Sequence, residues 1–120
     1  MSTNYYLKTP NVSSNDYPHV GLFAGCMFRF QAHPEQRLFS FADWAARLRQ
    51  PDAVLLDEYD KVVNVEDFLA MAVRWRDEVR KDTRRREYHN APQVEPGVTH
   101  LPGTRYRDAE GHLFFDFNFS

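Results

Sequence analysis

An α+β fold, built as a small antiparallel β-sheet (two hairpins plus short strands) with two packed α-helices, is what this 120-residue sequence predicts. Three observations carry the prediction. The segments "HVGLFAGCMFRFQA" at 19–32 and "TRYRDAEGHLFFDFNFS" at 104–120 each hold apolar runs around a central turn signal. The segments "SFADWAARLRQP" at 40–51 and "NVEDFLAMAVRWRDEVRK" at 64–81 each open on a capping residue and carry an apolar stripe at helical spacing. Aromatic residues make up 15% of the chain, with ten Phe, six Tyr and two Trp, enough ring area for one compact core over residues 1–120.

Taken in order, residues 1–18 read as an irregular or edge segment, because "TPNVSSND" is rich in turn and cap formers and Pro18 biases Tyr17 towards an extended backbone. A hairpin turning near Ala24-Gly25 follows, its second arm alternating Met27 and Arg29 against Phe28 and Phe30. Ser40 caps the first helix, with Asp43 three positions on in capping-box style, and Pro51 ends it. Phe41, Trp44, Ala45 and Leu48 share its inner face.

"AVLLDEYDKVVNV" reads as two β segments, Val54–Leu56 and Lys61–Val63, around an acidic turn. Asn64 caps the second helix, and Glu66 and Asp67 complement its dipole. Val65, Phe68, Leu69, Ala72, Trp75 and Val79 form its stripe. Three prolines and a glycine make Asn90–Pro102 a loop, and the closing hairpin turns through Asp108–Gly111 into a strand carrying Phe115, Phe117 and Phe119.

Composition narrows the function classes. Cys26 is the one cysteine, so no internal disulfide forms, and a small secreted domain would use several. No apolar run reaches transmembrane length and "MSTNYYLKTP" lacks a signal-peptide core, which places the protein in the cytoplasm. The net charge of −2 is unevenly spread: residues 74–86 carry seven basic and three acidic groups, while the flanking stretches are each acidic. Such an imbalance speaks of partners and not of fold.

The basic stretch "RWRDEVRKDTRRREYH" at 74–89 is the one prominent surface signal. On a helical wheel Arg74, Arg80, Lys81, Arg84 and Arg85 lie opposite the apolar stripe, with Asp77 placed to pair with Lys81. Cations near a helix end are favoured by the macrodipole at about 0.3–1 kcal/mol each. Arg84, Arg85 and Arg86 stand apart, because Arg80–Arg84 and Lys81–Arg85 are like-charge pairs that an outside anion or a distant acidic segment would relieve. A solvated or internally paired helix end is the first reading, an acidic protein partner the second and nucleic acid the third; the acidic balance of the whole chain counts against the last.

Catalytic and metal motifs are scarce. His19, His33, His89, His100 and His112 show no H-x-x-x-H pairing; His89 and His100 flank the loop and could converge. There is no C-x-x-C, which argues against structural zinc. Asp57, Glu58 and Asp60 offer oxygen ligands, but the glycine and distal glutamate of a calcium loop are missing and Asp is a common turn former. Cys26 reads as a buried strand cysteine, with His19 or His33 as conceivable bases. No phosphate loop is present, and the expectation is a non-enzyme without metal or cofactor.

"TNYYL" at 3–7, "HVG" at 19–21, "SFADW" at 40–44, "DEYDKVVNVEDFLAM" at 57–71 and "RDAEGHLFFDFNFS" at 107–120 together resemble a family of small uncharacterised phage and prophage proteins. Its pattern runs from an N-Y-Y-L start through a cysteine pair, H-I-G and D-E-Y-G-x-x-V to a terminal D-x-E-G-x-x-F…F-S. The resemblance implies a phage origin and a place in the bacterial cytoplasm. This chain departs from the pattern where "TPNVSSND" replaces the C-x-x-C, so any zinc role of the histidine at position 19 has lost its co-ligands.

From that origin the expected function is a non-catalytic interaction protein that binds and inhibits a host protein or defence complex, a CRISPR surveillance complex being one version. Arg80, Lys81, Arg84, Arg85 and Arg86 would form its partner-binding surface. The alternatives are a nucleic-acid-binding accessory protein using 74–86, with Tyr88 and Trp75 nearby, and a phage structural or assembly protein that self-associates through its C-terminal strand.

Overall fold

The computed structural model describes residues 2–95, 98 and 104–117, and it is a six-stranded, mostly antiparallel sheet with two main helices. The strands are β1 (Ser2–Lys8), β2 (His19–Ala24), β3 (Met27–Gln31), β4 (Val54–Asp57), β5 (Arg105–Arg107) and β6 (Leu113–Phe115). The helices are α1 (Phe41–Leu48), α2 (Val65–Lys81) and a short α3 (Arg86–Asn90). Spatial order is β4-β1-β2-β3-β6-β5.

The N-terminus is not an irregular or edge segment. Ser2–Lys8 is an interior strand, hydrogen-bonded to β2 on one side and β4 on the other. Leu7 is fully buried and the Tyr5 ring sits 5.0 Å from Phe68, so every second residue of "NYYL" points at the helices. The turn formers act only after Lys8, where Asn11 has a positive φ of 64°.

Both hairpins form, although the closing strand β6 ends at Phe115 and leaves Phe117 in a bend outside it. Gly25 and Cys26 both sit near φ +60° at the first turn, the geometry of a two-residue type I′ connection. Cys26 is thus an exposed turn residue and not a buried strand cysteine. The pair β3–β6 is parallel, with Phe30 opposite Phe114, so the C-terminal hairpin docks on the first one after the whole helical section has crossed over. Lys61–Val63 forms no strand; it backs β4 through the Leu56–Val62 bridge and the Val63 N–H to Leu55 carbonyl bond of 2.8 Å. Residues 92–94 back β5 in the same manner, the Val94 N–H donating to the Arg107 carbonyl at 2.9 Å. Both sheet edges are therefore partly blunted.

Helix starts follow the caps. Ser40 Oγ accepts from the Asp43 N–H at 3.2 Å, and Asn64 Oδ1 accepts from the Asp67 N–H at 2.9 Å. The Asp43 carboxylate reaches back to the Phe39 N–H at 3.0 Å. Phe30, Phe68, Phe114 and Trp44 fill the layer between sheet and helices. The Trp44 indole donates to the Gln31 carbonyl at 2.9 Å and the Tyr106 hydroxyl to the Phe39 carbonyl at 2.6 Å, which satisfies both buried polar tips.

The α3 segment and its buried Tyr88 and Ala91 pack with Met27, Leu113 and Phe115 in a second apolar cluster. Within the Asn90–Pro102 stretch, Ala91 belongs to this cluster and Val94 to the main core, while 96–97 and 99–102 lie outside the described residues, as does Phe119.

Candidate functional site

The basic stretch does not continue as one helix. Asp82 ends α2 with ψ of 99°, and residues 82–85 turn the chain into α3. The wheel positions of Arg84 and Arg85 are therefore wrong, and the cations are arranged by a turn. The Asp82 carboxylate accepts from the Arg84 N–H at 3.1 Å and from Arg84 Nε at 3.0 Å, and it lies 3.6 Å from Arg85. Those hydrogen bonds hold the Asp82 carboxyl below the usual carboxylate range.

Arg85 Nη1 donates to the Gly25 carbonyl at 2.7 Å, and Arg80 Nη2 donates to the Glu110 carbonyl at 2.8 Å. Gly111, at φ 86° and without a Cβ, leaves the room that Arg80 occupies. Asp77 pairs with Arg76 at 2.9 Å and not with Lys81. Of the five expected partner-binding residues, Arg80 and Arg85 are thus fastened to the fold. Arg84 is 90% exposed despite its pairing with Asp82, and Lys81 and Arg86 are exposed and form no ion pair among the described residues.

The turn and the first hairpin enclose an open cleft of about 490 Å³ lined by Cys26, Trp75, Glu78, Val79, Lys81, Asp82, Arg84 and Arg85. Trp75 shares the apolar stripe of α2 but is only half-buried; its ring is 5.6 Å from Phe23, and the Arg74 guanidinium lies 5.1 Å from its centroid. Tyr88 is buried, with its hydroxyl donating to the Gly111 carbonyl at 2.7 Å and Arg107 over its ring, so it offers no stacking surface. Trp75 was already legible beside the basic stretch, but the site's floor at Cys26 escaped sequence reasoning. The available signal was the glycine-led turn itself, since a two-residue hairpin turn projects its residues past the sheet end.

A half-buried ion pair holds the cleft together from behind. Arg29 grips Glu87 with two bonds of 2.9 and 2.8 Å and donates to the Ala24 carbonyl at 2.9 Å, tying α3 to the hairpin. Arg29 and Arg105 lower the Glu87 carboxyl pKa, the Arg29 hydrogen bonds most. Glu87→Ala is expected to cost about 1–3 kcal/mol, less than a fully buried pair because Glu87 keeps some solvent. Urea unfolding of the two single variants and of Arg29→Ala/Glu87→Ala checks this: the double variant should lose less than the two singles added together.

The histidines serve the fold. His19 is buried with Nε2 2.8 Å from Asn4 Oδ1, and His33 Nε2 lies 2.7 Å from the His19 carbonyl oxygen. His89 Nε2 is 3.1 Å from the Asp82 carbonyl oxygen, and His100 lies outside the described residues. Among the described residues no three His, Cys, Asp or Glu side chains are grouped to hold a metal ion, and no helix is long and apolar enough to cross a membrane.

The acidic turn is organised by Asp57, whose Oδ1 accepts from the Tyr59 and Lys61 N–H groups at 2.8 and 3.0 Å, while Glu58 accepts from the Asn4 N–H at 2.8 Å. Asp108 was missed as a structural residue. Buried at the C-terminal turn, it accepts from the N–H groups of Phe41, His112 and Glu110 and so pins that turn to the start of α1. No protein-family model, no curated protein and no solved structure matches this chain.

Proposed function

We propose that this is a small phage-encoded, non-catalytic interaction protein that docks on an acidic surface of a host protein or defence complex and blocks it. The carrying observation is the cleft rimmed by Lys81 and Arg84, with Arg86 exposed on the adjoining α3, beside the half-buried Trp75. A half-exposed aromatic among arginines is the composition of a protein–protein hot spot. The phage origin rests on the resemblance of the short strings at 3–7, 19–21, 40–44, 57–71 and 107–120.

A nucleic-acid reading is weaker here. Glu78 and Asp82 line the same cleft and would repel phosphates, and Tyr88 is buried. The partner-binding set narrows accordingly to Lys81, Arg84 and Arg86, with Arg80 and Arg85 kept as structural supports.

The test uses Lys81→Glu/Arg84→Glu/Arg86→Glu. This triple variant should lose capture of a stoichiometric host protein from nuclease-treated lysate while its melting temperature stays within a few degrees of the parent, since exposed charges contribute little to stability. Undiminished capture by the triple variant would reject the surface, and retained material that vanishes with nuclease would reject the protein-partner reading.

A further inference from the structure

We propose that the cationic cleft also receives the acidic turn of a second copy of this chain, giving a two-fold dimer in which each turn occupies the other's cleft. The inference is independent of any host partner. It begins with two side chains that the fold leaves outside: Tyr59 and Val62 are 73% and 75% exposed, far above Val98 at 43% and Phe117 at 39%, the next most exposed large apolar residues described. Both belong to the turn after β4, where Asp57, Glu58 and Asp60 face a single cation, Lys61. The Asp57 carboxylate is used within the turn and that of Glu58 by the Asn4 N–H of β1, but that of Asp60 has no partner among the described residues.

The cleft offers the complement. Lys81, Arg84 and Arg85 outnumber Glu78 and Asp82, Arg74 adds a further cation above Trp75, and the volume of about 490 Å³ accommodates a phenol ring. An exposed tyrosine amid carboxylates matches a half-exposed tryptophan amid arginines in both polarity and charge.

Register decides the symmetry. β1 pairs Ser2 with Ala24 of β2 and Tyr5 with Asp57 of β4, so β2 and β4 both run towards the Ser2 end of β1. The acidic turn and the hairpin turn flooring the cleft therefore leave the same end of the sheet. β4 and β2 flank β1, which separates them by about 10 Å. Two complementary patches side by side at one end close on themselves under a two-fold axis, because contact of turn with cleft brings the reciprocal contact with it. Only two loops meet, so the interface falls at the small, exchanging end of the range and is weakened by salt.

Sedimentation or light scattering of the purified protein alone, at low ionic strength and rising concentration, tests the proposal. The mass should rise from 14.2 kDa towards twice that value and fall back as salt is added. Asp60→Lys and Arg84→Glu should each be monomeric, since each sets like charges against each other at both contacts. Mixed in equal amounts they should recover the dimer, because both contacts then join opposite charges. Tyr59→Ala, a change at a largely exposed position, should also be monomeric with an unaltered melting temperature.

A parent protein that stays monomeric throughout, single variants that dimerise like the parent, or a mixture that stays monomeric would each overturn the proposal. No lysate enters the experiment, so its failure leaves the host-partner reading untouched. Capture of a host protein by a strictly monomeric chain would separate the two in the other direction.

Discussion

Replacing Gly21 with alanine is expected to lower stability by about 3 kcal/mol or more, above the usual overpacking cost because backbone resists the new atom. Gly21 pairs with Phe30 across the β2–β3 ladder. A Cβ there would overlap the Arg29 carbonyl oxygen and lie 2.6 Å from the Phe28 ring. The ring cannot withdraw, since Phe28 is packed edge-on against Phe30 at 4.6 Å and Phe68 at 5.2 Å. The carbonyl cannot yield without parting the strands. Thermal unfolding should show the melting temperature lowered by roughly 10 °C or more, and a variant that melts with the parent would show that the sheet is looser at this crossing than its packing implies. The effect reaches the cleft, because the same two strands carry Gly25 and Cys26.

Acid sensitivity is the second large effect, and it centres on His112. The ring stacks on Phe41 at 4.1 Å and meets Phe30 edge-on at 5.7 Å. Its Nε2 lies 3.3 Å from Arg76 Nη1. Burial first, and then the nearby cations of Arg76 and Arg80, push its pKa down to about 3. In the unfolded chain the imidazole takes a proton near pH 6.5. Below that pH the unfolded state binds a proton that the folded state refuses.

The stabilisation is thus complete above about pH 6.5 and is lost as pH falls towards 3, by up to ~1.4 kcal/mol per pH unit. His19, also lowered by burial, adds in the same sense. Asp108 works the other way: burial raises its carboxyl against the N–H donors of Phe41 and His112, so its contribution is lost as pH rises. Comparing the parent with His112→Phe separates these contributions. By ~pH 4.5 the parent should have lost about 2–3 kcal/mol more than the variant, relative to neutral pH. Parallel urea midpoints for the two proteins from pH 7 to 4.5 would refute the assignment.

Local signals in the chain were sufficient for the elements whose cause is local. Ser40 and Asn64 cap the helices they were expected to cap, the 3.6-residue stripe from Val65 to Val79 faces the sheet, and Ala24-Gly25 marks a hairpin. The α+β class follows from those periods alone. The N-terminal strand was misread because its turn-rich neighbour, "TPNVSSND", outweighed the short alternation of Tyr5 and Leu7. A strand that gains its bonds from β2 and β4 cannot be placed until both exist.

The cationic site lay at the limit of sequence reading. Its residue types and approximate location are visible in "RKDTRRR", because charge composition is local information. Which cations remain available is not, since that depends on acceptors far along the chain. Arg85 is taken by the Gly25 carbonyl sixty residues earlier and Arg80 by the Glu110 carbonyl thirty residues later.

The parallel docking of β6 on β3, the burial of Tyr88 and Asp108, and the enclosure of the cleft by a hairpin turn have the same character. Periodicity and capping act within a turn of helix or a pair of strands, and they settled the elements. Pairing of distant strands and satisfaction of buried polar groups act across the whole chain, and they alone selected which of seven clustered cations face outward.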